Sequence, residues 1–336
     1  MPSVHLLNVS PGDCSIIRHA SGHTTLIDIC DGNLEEEEEE LGKAAAAEEL
    51  ALRPRGNFRM CESPTNPIRY AKSIGVTSIF RFILTHPDMD HMDGFDALAD
   101  EFGIGNFWDT GTRRDKPKFG EGTPYREEDW DRYVKVRDGN QSGVSTCIRQ
   151  DGDHFAFANM DEAGQYGGDG LYILAPNSQL AMEASQDGDV NDGSYVILYR
   201  SWGGRVLLPG DAHDNTWDYV TRNYAKDVAG CSFMLAPHHG RDSERSYDFL
   251  DRIRPIVTLI GCAPAEQIDY EQWRSRKLEY ITSNQAGNVV LEIVEGRIDV
   301  YVENNTFAKA KGGDPSVKNS QGYAYLYSIT PAPEQK

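Results

Sequence analysis

The sequence predicts a layered α/β domain, and three observations carry that prediction. Short apolar runs recur along the whole chain and break at Gly, Asp or His, as strands buried between layers do. Stretches of helical pattern stand among those runs rather than in a block of their own. A chain of 336 residues can bury a substantial core, and no internal repeat of fixed period divides it.

In chain order, "HLLNV", "PGDCSIIRH" and "HTTLIDICDG" predict three strands of a meander with polar turns. Residues 34–53, "LEEEEEELGKAAAAEELALR", have high helix propensity but a poor apolar stripe. They predict a solvated helix or a partly disordered insertion. Within it the Glu35–Glu40 run reads as solvated surface, the alternative being an acidic contact for a partner. "IFRFIL" at 79–84 predicts a strand and "GFDALADEF" a helix. Residues 105–170, rich in Gly, Asp and Arg, predict a loop-rich elaboration with short strands, in which Trp108, Trp130 and Phe155 imply packing. Packing is also the reading for Trp217, ahead of stacking on a base. Strands return at "GLYILAP", "SYVILYR", "RVLLPGD", "SFMLAPHHG", "PIVTLIGC" and "NVVLEIVEGRIDVYVE", and the tail "GYAYLYSITP" predicts an edge strand. The expected organisation is one domain over 1–310, with insertions at about 31–66 and 106–168 and an extension over 311–336.

Acidic residues (53) exceed basic ones (33), for a net charge of −20. Such a surface excludes a protein that grips nucleic acid by a broad basic face, because phosphate neutralisation needs clustered Lys and Arg. It does not exclude a nuclease, since metal ions supply local positive charge. Solubility is the plain reading of the charge, with a protein partner as the alternative. No stretch approaches the roughly 20 apolar residues of a membrane helix, so no membrane partner is expected. The opening "MPSVHLLNVSPGDCS" lacks the basic and apolar regions of a secretory signal. Six cysteines (14, 30, 61, 147, 231, 262) form no CxxC pair, which predicts buried, reduced thiols in a cytoplasmic protein.

The stretch "FILTHPDMDHMDG", 82–94, follows a predicted strand and sets His86, Asp88, Asp90, His91 and Asp93 within eight positions. Other predicted strands also end on ligand-type residues: Asp28 after "TTLI", Asp211 after "RVLLPG", and His238 and His239 after "FMLAP". Carboxylates and imidazoles meeting at one sheet edge would repel or stay unsatisfied without a cation between them. The turn is therefore read as one built to hold metal. Asp13 reads as a turn residue, Asp93 as a cap of the following helix, and His213 as a helix-start or surface residue.

This arrangement resembles the metallo-β-lactamase superfamily, whose usual signature is H-x-H-x-D-H, and is more similar still to the hydrolase domain of the ComEC-like competence (DNA-uptake) proteins. "NVSPGDCSII", "LIDICDG", "SIGVTSIFRFILTHPDMDHMDGF", "NDGSYVILYRSWGGRVLLPGD" and "MLAPHHG" match its motifs in order. The resemblance covers most of residues 4–296. It implies an αββα sandwich and a hydrolase with two divalent metal ions. One ion would be held by His86, Asp88 and Asp211. The other would be held by Asp90, His91, Asp211 and one of His238 and His239. His239 is preferred, because in the related P-G-H-G turn the ligand precedes the second Gly.

Asp88 stands where the usual signature has a second His, and "DVNDGS" offers Asn191, Asp192 and Ser194 where other branches have a further His. Oxygen in place of nitrogen favours manganese, with zinc the alternative. The resemblance further implies a metal-bridged hydroxide as nucleophile, with Asp90 and Asp211 in the catalytic set. Asp28 would orient a ligating His, and His238 would act as general acid. Arg241 and Ser243 are candidates for contacting an anionic substrate group. The expected reaction is hydrolysis of a phosphodiester in a nucleic acid or nucleotide. The alternatives are another ester (a phosphorylcholine ester or a lactone) and a metal-stabilised regulatory or binding subunit without turnover.

Overall fold

The computed structural model describes residues 1–9, 11–35, 42, 58–161, 163, 165, 167–242 and 245–331. Most of the Glu35–Glu40 run, the helix expected over 34–53 and Ser243 lie outside the described residues.

Among the described residues sixteen strands form two sheets. The first contains β1 (Ser3–Leu6), β2 (Ser15–Arg18), β3 (Thr24–Ile27), β4 (Ile79–Ile83), β5 (Ile104–Asp109) and β6 (Ser145–Ile148). The second contains β7 (Leu171–Ala175), β8 (Val196–Ser201), β9 (Gly204–Leu208), β10 (Phe233–Leu235), β11 (Val257–Ile260) and β12 (Tyr280–Thr282). The chain then returns to the first sheet with β13 (Val289–Val294), β14 (Arg297–Val302), β15 (Asp314–Lys318) and β16 (Ala324–Ile329). The first sheet runs β15-β16-β14-β13-β1-β2-β3-β4-β5-β6 and the second β12-β11-β10-β9-β8-β7. The expected meander is the antiparallel β1-β2-β3 set. The tail strand β16 pairs with β14, and β15 rather than β16 forms the edge.

Layering follows from the alternation of side chains across each strand. Ile27, Ile83, Ile197, Val206, Leu208 and Phe233 share a single apolar cluster between the two sheets. Their neighbours Leu26, Phe82 and Leu84 face outward against Phe95, Leu98 and Phe102 of the helix Phe95–Phe102. On the other side Leu198, Leu207 and Met234 face Trp217 and Val220 of the helix Asp214–Asn223 and Leu250 and Ile253 of Asp248–Ile253. Strands buried on both faces read as continuous apolar runs. The result is the expected αββα sandwich. Among the described residues no helix is long and apolar enough to cross a membrane.

Three local expectations are corrected. The region 105–170 holds an eleven-residue helix, Glu127–Arg137, with Trp130, Tyr133 and Val136 buried at three-residue spacing. Its acidic first turn and basic last turn suit the helix dipole. A stripe of three apolar residues in a charged segment is too thin a periodic signal to stand out. Asp93 does not cap the helix that follows it; its carboxylate accepts from the Asp31 backbone N–H at 3.1 Å and Asn33 Nδ2 at 2.9 Å. Trp108, Trp130 and Trp217 are buried, as the packing reading expected.

The third correction concerns the thiols. Cys61 and Cys262, 201 residues apart, form a disulfide, while Cys14, Cys30, Cys147 and Cys231 are free. Spacing rules see only neighbours in sequence, and this pair is made by the tertiary fold. Asn8 holds the same segment, donating from Nδ2 to the carbonyls of Met60 at 2.7 Å and Ser63 at 3.0 Å. Closing so long a loop restricts the unfolded chain. Cys61→Ser is therefore expected to lose about 2–4 kcal/mol of stability, read from urea unfolding without reductant. A midpoint equal to that of the wild type would mean the bond contributes nothing.

Candidate metal centre

Strands β1, β3, β4 and β5 run the same way in the first sheet, as do β7, β9, β10 and β11 in the second, and the meeting of His86 and His91 with Asp211 puts the carboxyl ends of both sets at one edge of the sandwich. Crevices outside the carboxyl ends of strands are where open α/β sheets place ligands. The β3 end carries Asp28, β4 leads into Thr85 and His86, β9 into Asp211, and β10 into His238 and His239.

Local chemistry shapes each turn. After β4 a short 3-10 helix, Met89–His91, tucks Met89 and Met92 into the outer core, which turns His91 inward. The β9 loop bends at Gly210 (φ 52°), where an added Cβ would lie 2.7 Å from Thr85 Cβ. Only glycine allows that approach, and it brings Asp211 to the imidazoles. His238 and His239 both adopt left-handed φ (52° and 56°), a conformation costing about 1–3 kcal/mol per residue unless the surroundings enforce it. The buried Arg245 enforces it: its guanidinium donates to the carbonyls of Pro237 (2.7 Å), Arg241 (3.1 Å) and Ala212 (3.3 Å).

The structure gathers most of the predicted ligands. Asp211 Oδ1 lies 3.2 Å from His91 Nε2, and its Oδ2 lies 3.6 Å from His239 Nε2, 3.6 Å from His238 Nε2 and 4.0 Å from His86 Nε2. Asp90 Oδ2 is 3.6 Å from His239 Nε2. Ligand atoms within 4.8 Å of one another form three overlapping groups here: His86, His91 and Asp211; Asp90, His91 and His239; and Asp13, Asp211 and His239. The Nε2 atoms of His86, His91 and His239 and Asp211 Oδ1 are buried without a hydrogen-bond partner. Orphaned buried nitrogens and oxygens converging on a point are costly unless a cation takes their lone pairs. The donor set of imidazole and carboxylate suits zinc or manganese.

Outer contacts orient these donors. Asp28 Oδ2 lies 2.9 Å from His91 Nδ1 and accepts from Thr85 Oγ1 at 2.7 Å, while Oδ1 accepts from the Thr85 N–H at 2.7 Å. His91 Nδ1 therefore carries a proton, which leaves Nε2 as the ring nitrogen that faces the cluster. Asp13 Oδ1 does the same for His239 Nδ1 at 3.1 Å. Asp13 thus differs from the turn residue expected of it. Its signal was the "PGDCS" motif, but only the fold shows which His it reaches.

Electrostatics follow the cluster. Burial opposes charging His91 and His239, but Asp211 and the neighbouring carboxylates outweigh it, raising His91 well above its ordinary value and His239 to about 10. Burial would raise Asp211, yet His239 and His91 hold it well below the usual carboxylate range. Burial lowers His86 to about 4 and His238 to about 3.

Other predicted residues stand apart. Asp88 is not among the three groups; its Oδ2 is 3.7 Å from His86 Nε2, and it forms an ion pair with Arg114. Asp192 Oδ1 accepts from the Thr216 N–H at 2.9 Å, which directs it to the start of the helix Asp214–Asn223. Ser194 Oγ is buried and, among the described residues, has no hydrogen-bond partner. Arg241 Nη2 donates to Gln267 at 2.8 Å. His213, expected at a helix start, does occupy the first cap of that helix, but its Nε2 lies 3.3 Å from His238 Nδ1 and its Nδ1 3.0 Å from Asp189 Oδ2.

Fold and cluster together define an αββα sandwich with a buried His/Asp centre of metal-ligand type. No family model matches the chain, and no curated protein does. Among solved structures, it is similar to a metallo hydrolase from the hyperthermophilic archaeon Ignicoccus hospitalis (16% identity, 87% of this chain and 100% of that one, TM-score 0.47). It is also similar to a diphosphatase of the PhnP family (12% identity, 87% and 98%, TM-score 0.44). A third is CmlA, a diiron β-hydroxylase from Streptomyces venezuelae (11% identity, 87% and 54%, TM-score 0.44); the chain spans about half the length of that protein.

Proposed function

We propose that this chain is a metal-dependent hydrolase of the metallo-β-lactamase type, in the ComEC-like branch, acting on phosphodiesters of nucleotides or short single strands. The observation that carries this reading is the convergence of three orphaned Nε2 atoms on Asp211, each of two imidazoles being held from behind by a carboxylate. Asp90, His91, His239 and Asp211 would hold a divalent cation, with His86 and Asp88 beside it; manganese is favoured over zinc. When bound, such a cation lowers the pKa of a water and neutralises charge on an ester oxygen. The chain's own residues supply the rest. Asp28 and Asp13 keep the ring nitrogens oriented, and His238, linked through His213 to Asp189, is lowered to about 3 by burial, so at neutral pH it acts as a neutral hydrogen-bonding group toward the leaving oxygen rather than as a charged acid.

Support for an anionic substrate comes from the loop after β5. Arg113, Arg114, Lys116 and Lys118 follow one another there; Arg113 is paired with Asp109 and Lys116 with Glu127 and Asp131, which leaves Arg114, reaching Asp88 at the cleft, as the cation directed at the site. Local positive charge focuses anions even on an acidic protein. A protein partner on the acidic surface and a cytoplasmic location belong to the same reading. The location requires the Cys61–Cys262 bond to be reduced in the cell, which alkylation of freshly lysed cells would detect.

Metal content and turnover measured on one preparation test the reading. Manganese-dependent cleavage of bis-p-nitrophenyl phosphate, abolished by chelation, is expected, with labelled single-stranded DNA distinguishing nuclease from small-diester activity. Bound metal with no cleavage of either would overturn the phosphodiester assignment, and failure to take up any metal would overturn the hydrolase itself.

A further inference from the structure

The Asp88 side of the centre is built differently from the His91 side. Asp88 is 25% exposed, and among the described residues it shares no group of converging ligand atoms. Asp192, the carboxylate that sequence offered as a replacement ligand there, is committed to the Thr216 N–H. Instead, Asp88 meets a guanidinium of its own chain, that of Arg114, whose side chain is 35% exposed.

That guanidinium is delivered by an anchored loop. The Thr112 hydroxyl donates to the Gly193 carbonyl at 3.2 Å, the Arg113 N–H to Ser185 Oγ at 2.8 Å, and Arg113 Nη1 to Asp109 Oδ1 at 2.6 Å. Both residues before Arg114 are thus tied to the wall formed by 178–193, while Arg114 projects to Asp88. Arginine keeps its charge at any working pH and matches two oxygens of a carboxylate or phosphate at once. A divalent ion beside it would be repelled.

We infer that Arg114 stands at Asp88 in place of a second cation. It holds that carboxylate when substrate is absent and presents its N–H groups to a non-bridging oxygen of an anionic phosphodiester. The centre then binds one cation tightly, among Asp90, His91, His239 and Asp211. This rests on the hydrolase reading above, from which its failure can be told apart.

The test compares wild type, Arg114→Gln and Arg114→Lys, with thermal melts to confirm folding. Manganese per chain is measured after equilibration and desalting, and inorganic phosphate is titrated calorimetrically. The wild type is expected to retain one ion, and Arg114→Gln to approach two as Asp88 is freed. Phosphate affinity should fall about 10–100-fold in Arg114→Gln, the loss of a charged hydrogen-bonding partner, with partial recovery in Arg114→Lys. For bis-p-nitrophenyl phosphate KM should rise by a similar factor while kcat changes less. Two ions in the wild type, or unchanged phosphate affinity in Arg114→Gln, would overturn the inference and leave the hydrolase standing. A wild type that binds no ion overturns both.

Discussion

Asp211→Ala is expected to emerge from manganese equilibration without tightly bound metal and to cleave bis-p-nitrophenyl phosphate at least about 10³-fold more slowly than the wild type. The magnitude corresponds to about 4 kcal/mol of lost charge stabilisation, the scale a Lewis-acid cation supplies. The expectation is this large because, among the described residues, Asp211 is the one carboxylate within 4.0 Å of all four imidazoles, those of His86, His91, His238 and His239. Removing an outlying donor would lower affinity, whereas removing this one leaves the imidazoles without a shared anion. Metal analysis and initial rates on the same sample check it. Turnover within tenfold of wild type would show that the chemistry lies elsewhere.

The second large effect is on stability and lies far from the cleft. Arg81, on β4, is 2% exposed in its side chain and faces the interior between the sheets. Its Nη2 pairs with Asp169 Oδ2 at 3.1 Å, and Nη1 donates to Thr25 Oγ1 at 2.7 Å. Asp169 also accepts from Ser21 Oγ at 2.6 Å and lies 3.0 Å from His23 Nδ1. Asp169→Asn would leave a buried guanidinium without its counter-charge, so a loss of about 3–5 kcal/mol is expected at neutral pH.

Its pH dependence has a definite sign. Burial alone would raise the Asp169 carboxyl, but His19, Ser21, Arg81 and His23 hold it below the usual carboxylate range. A folded-state value lower than the unfolded one contributes stability that is fully present above the unfolded value, about 3.9. That contribution disappears as pH falls through the depressed folded value. The gap between wild type and Asp169→Asn should therefore be widest near neutrality and narrow only in strong acid, as urea midpoints at several pH values would reveal. A gap that stays constant down to strong acid would mean the ion pair is not its source.

Much of the centre was legible in the sequence because the evidence was local. "THPDMDH" follows a strand within a few residues, and Asp28, Asp211, His238 and His239 each end an apolar run. An apolar run predicts a strand, and a strand's end is one edge of a sheet, so ligands at run ends share an edge before any coordinates are known. Likewise the αββα layering follows from runs buried on both faces.

What escaped depended on meetings between distant segments. Asp13 reads as a turn residue until β10 brings His239 to it across 226 positions. Arg114 sits in a charged stretch like many others, and only the anchoring of its loop to Ser185 and Gly193 aims it at Asp88. Asp192 and Asp88 are both carboxylates of plausible ligand type, yet a helix N-terminus takes one and a guanidinium the other. The Cys61–Cys262 bond joins two thiols with no sequence relation. The sequence by itself determined the strands, the layers and which residue types crowd the edge, because periodicity and turn chemistry act over a few residues. The tertiary structure alone decided which carboxylate orients which imidazole and which one meets an arginine, because side-chain pairing is set by the packing of segments the chain order keeps far apart.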